Sequence, residues 1–205
     1  MFCFILFSFS SSLNQIDSIK NLLNQESYQL TYQPANEAIL NEGVRKADDI
    51  LFLLRGNASV KMQKFAEAIS DLSHFLSKRN KNYLIYQNDA YALRALAYLK
   101  LGDLKKSQND ADKSDDGPLI LEISKAQNLL RLTKSKNITP EQSYDYYTSL
   151  IEICPCCSAF FRETAELAKS NEELSHKYLN FLNKLIEESP GNDELLIQRE
   201  IFLKN

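Results

Sequence analysis

The stretch that most constrains this chain is Tyr91–Ser107, YALRALAYLKLGDLKKS. From Tyr91 to Leu101 only Arg94 and Lys100 interrupt the apolar run. The run is too short to cross a bilayer and too continuous for a helix with one wet face, so it reads as a helix covered on most sides. Gly102 ends it, because glycine takes the left-handed conformation after a helix at little cost. Asp103 supplies the cap of a second helix that starts at once. Helix, Gly-Asp turn, helix is an αα-hairpin. Small residues stand where two such helices must touch: Ala95 on the first, Ser107 twelve positions later on the second.

The pattern occurs once more upstream. In Leu53–Leu72, LLRGNASVKMQKFAEAISDL, Gly56 and Ala68 are again twelve apart, and Phe65 precedes Ala68 by three as Leu104 precedes Ser107. Gly56 and Ala95 set a period of 39 residues. This arrangement resembles the tetratricopeptide repeat (TPR), a helix–turn–helix unit of about 34 residues. The family's small first-helix residue falls on Gly56 and Ala95. Its tyrosine three positions later falls on Ser59, a departure, and on Tyr98, a match. The large residue opening its second helix falls on Phe65 and Leu104, and the small one on Ala68 and Ser107. The residues in excess of the family length are assigned to Arg79–Asn88, RNKNYLIYQN. A degenerate first copy has Tyr28 and Thr31 in the same places, 37 positions before Phe65 and Ala68, behind a helix with Ile16, Ile19, Leu22 and Leu23 on one face. Pro34 lies inside its second helix and should kink or break it. The resemblance implies an all-α, TPR-type α-solenoid of antiparallel helix pairs in a right-handed superhelix. The alternative is an ordinary helical bundle whose small residues coincide.

Scarce glycine and proline, five each, and almost no strand-like alternation agree with an all-α chain. Lys113–Pro118, KSDDGP, breaks the pattern. A helix follows from about Leu119 to Lys134. Thr139-Pro140-Glu141-Gln142 starts another, with a threonine cap, proline in the first turn and an acid beside it, which ends before Pro155. Ser158–Ser170 and Asn171–Ser189 form a further hairpin. The last helix, Asp193–Leu203, reads as the first member of a repeat or as a terminal cap. The expected division is a signal segment at 1–12, an N-terminal TPR subdomain of three repeats at 13–117, and a linking helix with TPR-like repeats and a terminal helix at 118–205.

The opening residues, MFCFILFSFSSS, place an apolar run at Phe2–Phe9 before Ser10–Ser12. They are too short to span a membrane and are read as a cleaved secretory signal, although no Lys or Arg precedes the run. The alternative is a frayed or buried N-terminal tail. The first reading places the protein in the endoplasmic reticulum lumen or secretory pathway, the second in the cytoplasm. Of two glycosylation sequons, Asn57-Ala58-Ser59 lies inside a repeat helix, whereas Asn137-Ile138-Thr139 lies in a loop, so Asn137 is the acceptor expected.

A net charge of −3 and the absence of a basic cluster with interleaved aromatics argue against nucleic acid as a partner. No phosphate-binding glycine loop, HExxH or GxSxG spacing occurs. Asp48-Asp49, Asp115-Asp116 and Glu172-Glu173 sit near helix starts, where carboxylates favour the helix dipole. Cys154, Cys156 and Cys157 crowd one turn, with His176 the nearest downstream histidine. They read as residues of a helix turn rather than a zinc site, which would need four ligands. The chain is therefore expected to be non-catalytic, with no cofactor or metal.

Order and spacing narrow the resemblance. A signal, three repeats, a long helix and then repeats beginning like Tyr144–Pro155, with Lys20–Ile39 as the other close local match, make the chain similar to the TPR-containing J-domain co-chaperones of the endoplasmic reticulum lumen, the interferon-induced kinase inhibitor family. That implies binding of unfolded or extended polypeptides and partnership with the lumenal heat-shock ATPase or a J-domain protein. The J domain's His-Pro-Asp does not occur: His74 is followed by Phe-Leu and His176 by Lys-Tyr. ATPase stimulation is not carried over.

In a TPR array the first helices line the concave face, through residues three before, one after and four after the small residue. These are Leu53, Asn57 and Val60, then Ala92, Leu96 and Leu99, with Leu93 beside them, and Ile16, Lys20 and Leu23 in the degenerate copy. TPR domains that hold acidic chaperone tails carry Lys where Leu53 stands and a second Asn where Leu93 stands. Only Asn57 fits, so the expected groove is apolar and suited to unfolded chains. The alternative is that neighbouring helices cover some of these residues.

Overall fold

The computed structural model describes residues 14–204, except positions 45, 79 and 191. The signal segment read at 1–12 lies outside the described residues. Among the described residues all regular structure is helical: α1 (14–24), α2 (Tyr28–Glu42), α3 (Asp49–Lys61), α4 (Phe65–Lys78), a 3-10 segment (Lys81–Tyr86), α5 (Gln87–Lys100), α6 (Leu104–Ser114), α7 (Gly117–Leu132), α8 (Pro140–Ile153), α9 (Ser158–Lys169), α10 (Glu172–Glu188) and α11 (Asp193–Lys204). None is long and apolar enough to cross a membrane. The chain separates into two compact units. The first holds everything up to Leu99 together with Asp103–Leu121; the second holds Lys100–Gly102 and Glu122 onward.

Three hairpins of the first unit, the third turning at Gly102 of the second unit, share one turn. Glu26, Gln63 and Gly102 each take a positive φ, of 57°, 59° and 79°. The next amide, on Ser27, Lys64 and Asp103, then bonds back to the carbonyl five residues earlier, on Leu22, Ser59 and Tyr98, at 2.9 Å or slightly less or more (3.0, 2.8 and 2.9 Å in that order). This is the double-back that satisfies the loose carbonyls of a helix end. Asp103 also caps α6 through Lys106 N. The expected crossings are in place: Thr31, Ala68 and Ser107 have no exposed surface. Ser107 Oγ donates to Ala95 O at 2.7 Å, and a Cβ on Gly56 would lie 3.0 Å from Leu72 Cγ. Ile19, 1% exposed, fills the equivalent place on α1, which is why that copy is hard to recognise. No residue of Tyr91–Lys100 is exposed, as its composition predicts.

A polar fork recurs in the same period. Arg55 donates Nε and Nη2 to Asp71 at 2.7 and 2.6 Å, and Nη1 to Asn36 on the preceding α2 at 2.6 Å. Thirty-nine residues on, Arg94 donates Nε and Nη2 to Asp110 at 2.6 and 2.9 Å, and Nη1 to Ser73 on the preceding α4 at 2.9 Å. Each arginine thus ties its own second helix to that of the repeat before. The two carboxylates are 5% and 1% exposed.

Two expectations about this unit are corrected or filled in. Helix α2 is not broken at Pro34 but runs through it to Glu42. Proline removes one backbone bond, while the buried Thr31, Ala35, Ala38 and Ile39 hold the helix on either side. The extra residues between copies form the 3-10 segment. It is anchored by Tyr83 Oη donating to Asp48 Oδ2 at 2.9 Å and by Asn80 Nδ2 to Asp49 Oδ2 at 3.1 Å.

The second unit stacks α8 on α9, α9 on α10 and α10 on α11. Helix α8 begins as its sequence requires, with Thr139 and Gln142 closing a reciprocal capping box behind Pro140, and stops at Ile153 ahead of Pro155. Tyr178 is its central wedge. The side chain has no exposed surface, its hydroxyl donates to Phe161 O at 3.3 Å, and its ring meets Phe202 edge-on at 4.9 Å. Gly102 belongs here: a Cβ on it would fall 2.6 Å from Cys157 Sγ, so this glycine is required by space as well as by φ.

Candidate functional site

Three helix faces of the first unit converge on a cleft of about 280 Å³. Each face follows from helical spacing of three, four and seven. From α1 come Lys20, Leu23 and Asn24; from α3 come Ile50, Leu53, Leu54 and Asn57; from the 3-10 segment and the start of α5 come Tyr86, Asp89 and Leu93. Ile50, Leu53 and Leu54 are buried and make the floor. Leu23 and Leu93 are half-buried walls, and Asn24 and Asp89 stand exposed at the rim.

Among the sequence-predicted groove residues, Leu53, Asn57 and Leu93 line this cleft, with Lys20 and Leu23 from the degenerate copy. Val60 and Leu99, 5% and 0% exposed, are covered by neighbouring helices and serve packing rather than a binding surface. So does Ile16, at 8%. Ala92 and Leu96 are half-buried on α5 and do not line the cleft. Sequence reasoning missed Asn24, Ile50, Leu54, Tyr86 and Asp89. For Asn24, Ile50 and Leu54 the signal was available, since each lies three or four residues from a predicted lining residue on a helix already recognised; Tyr86 and Asp89 come from the inserted segment and its junction with α5.

The cleft combines an apolar floor with a polar rim of both signs. The Lys20 ammonium lies 6.0 Å from the Tyr86 ring centroid and 4.0 Å from Asp17. Neither Asn24 nor Asn57 gives its side-chain amide to another described residue. Two open amides over leucine and isoleucine match what an extended peptide presents: backbone donors and acceptors alternating with side chains. The titratable groups of the cleft are Lys20, Tyr86 and Asp89.

Outside it, the acidic pairs act at helix starts: Asp48 accepts from Ile50 N, Asp116 from Leu119 N, and Glu172 and Glu173 occupy the first turn of α10. Cys154 is buried, and burial pushes its thiol up to about 12, which keeps it protonated at neutral pH. His74 stacks on Phe52 with centroids 3.9 Å apart. Ser59, which replaces the expected tyrosine, buries its hydroxyl without a partner among the described residues. Asn137 is exposed in the connector before the Thr139 cap, whereas Asn57 is half-buried in the cleft wall.

No protein-family model matches the sequence, and no curated protein matches it. Among solved structures, the chain is similar to the crystal structure of the P58(IPK) TPR domain, with 16% sequence identity and a TM-score of 0.56. The match covers 94% of this chain and 55% of that one, so this chain spans about half the length of the structure it resembles. At that identity the likeness is one of fold, and the fold is the all-α, TPR-type arrangement of helix pairs.

Proposed function

We propose that this chain is a non-catalytic TPR protein that holds extended or unfolded polypeptide in the cleft of its first unit. The observation that carries the reading is the pair of open amides, Asn24 and Asn57, above a floor of Ile50, Leu53 and Leu54. Apolar side chains of a client leave water against that floor, while the amides take up its backbone groups. The fold likeness to a TPR domain supports a protein ligand. The signal-like Phe2–Phe9 run supports placing the activity in the endoplasmic reticulum lumen. There the resemblance further implies delivery of clients to the lumenal heat-shock ATPase or to a J-domain protein.

A second reading, a cytosolic adaptor for acidic chaperone tails, is favoured by one observation: Lys20 lies beside the two amides. Asp89 on the opposite wall weighs against it, because it repels the same carboxylate. The test is binding of labelled, reduced and carboxymethylated α-lactalbumin, followed by fluorescence anisotropy. Leu93→Glu is expected to abolish binding with the helical circular dichroism unchanged, and unchanged binding would refute the cleft as the site. Saturable binding of an acidic tail peptide, lost in Lys20→Ala, would establish the adaptor reading instead. The location is tested by sequencing the mature N-terminus and by protease protection in isolated microsomes; an intact, unprotected Met1 rules out the lumen.

A further inference from the structure

The cleft of the first unit carries a cation and an anion that do not satisfy each other. Lys20 comes from α1 and Asp89 from the first turn of α5. The Lys20 ammonium meets only the exposed Asp17 of its own helix, loosely, at 4.0 Å, and the Tyr86 ring, 6.0 Å from the centroid. Asp89 is exposed and makes no hydrogen bond or ion pair among the described residues. Asp48 and Asp49, by contrast, are tied to Tyr83 and Asn80 of the inserted segment.

Size sets a second limit. A volume of about 280 Å³ lies just under the range of about 300–1,000 Å³ that holds compact ligands. The floor of Ile50, Leu53 and Leu54 is apolar and buried, so this space takes one or two large apolar side chains and not a long hydrophobic stretch. Along an extended chain the neighbouring residues follow at about 3.3 Å each, which brings them to the rim where Lys20 and Asp89 stand.

We propose that the cleft selects, among unfolded chains, short extended segments in which one or two large apolar residues are flanked by an acid on one side and a base on the other. This rests on the cleft reading of function above and sharpens it. The acid goes to Lys20 and the base to Asp89. A segment with two acids sets one of them against Asp89, and a segment with two bases sets one against Lys20. Exposed rim charges contribute modestly, and salt removes what they contribute. The net charge of −3 would by itself draw the most basic segment. The ranking of segments therefore separates recognition in the cleft from attraction to the whole chain.

The experiment uses the intact protein and three fluorescent decapeptides, capped at both ends. They differ only in the residues that flank a central Leu-Phe: Glu and Lys, Lys and Lys, or Glu and Glu, in a body of Gly, Ser and Thr. At about 0.01 M salt the mixed peptide should bind about threefold or more tighter than either other, and at about 1 M salt the three should converge. Lys20→Glu should bring the two-Lys peptide to first place, and Asp89→Lys the two-Glu peptide. Leu93→Glu should abolish binding of all three. If Leu93→Glu abolishes binding but the peptides rank by net charge, or do not differ, the cleft stands and the selection is overturned. If Leu93→Glu leaves binding intact, the cleft itself falls and the selection with it. First place for the two-Glu peptide on the unaltered protein also overturns the selection, in favour of the acidic-tail reading.

Discussion

The two units build the same kind of helix pair in different ways. In the first, each hairpin is set by a backbone turn with a left-handed residue and by small residues at the crossing, and in two of the three copies by an arginine fork. In the second, none of the described non-glycine residues takes a positive φ, and α9, α10 and α11 are centred on Tyr178, whose hydroxyl meets Phe161 O and whose ring meets Phe202. The first device is periodic and leaves a mark in the sequence. The second is a fit of shapes, which any large apolar residue in the pattern could disguise.

The largest expected effects separate these devices. Tyr178→Ala should cost about 3–5 kcal/mol by opening a cavity. Asp110→Ala should cost a similar amount, about 3–5 kcal/mol, by stranding a buried guanidinium. The difference lies in the cure. Arg94→Leu with Asp110→Leu should regain most of the second loss in urea titrations, because removing both partners removes the stranded charge. If Asp110→Ala costs under about 1 kcal/mol, the fork is decoration and the comparison fails.

Next in size, Ala68→Leu should cost about 1–3 kcal/mol, since the crossing has no room for the added carbons. An unchanged melting temperature would show that small residues do not set the first unit. A smaller effect concerns His74. Burial first, then Lys78, holds its pKa below the usual 6.5, so the folded protein prefers the neutral ring and the unfolded chain binds the proton more readily. Stability should therefore be flat well above pH 6.5 and decline as pH falls through that value. The His74→Gln protein should lack this component of the decline between about pH 7.5 and 5.5. The smallest effect is Gln63→Gly, expected to stabilise by about 0.5–1 kcal/mol by relieving a left-handed glutamine. A loss instead would mean that the side chain, not the turn, matters there.

These contrasts explain what was legible beforehand. Gly102-Asp103 and Thr139-Pro140 were readable because special backbone geometry restricts which residues can stand there. Glu26 and Gln63 adopt the Gly102 geometry without its residue, so their turns were visible only through the spacing of Tyr28 and Phe65. The arginine fork lay open at a period of 39, yet charges on helices are ordinarily solvated, and the pairing partner sixteen residues away belongs to another helix. Three of the seven groove residues, Leu53, Asn57 and Leu93, line the cleft. Leu99 and Val60 do not, because period alone cannot tell which flank of a helix the next repeat covers. Tyr86 and Asp89 reach the cleft only because the inserted segment winds directly into α5, a junction no repeat template contains.

The shared turn also equips the protein with three internal clocks. The amides of Ser27, Lys64 and Asp103 occupy equivalent bonds, each closing its own hairpin. Such an amide trades its proton for deuterium only when that hairpin opens. Their three exchange rates, measured in one sample, would report how opening is distributed along the array, hairpin by hairpin, without a single substitution.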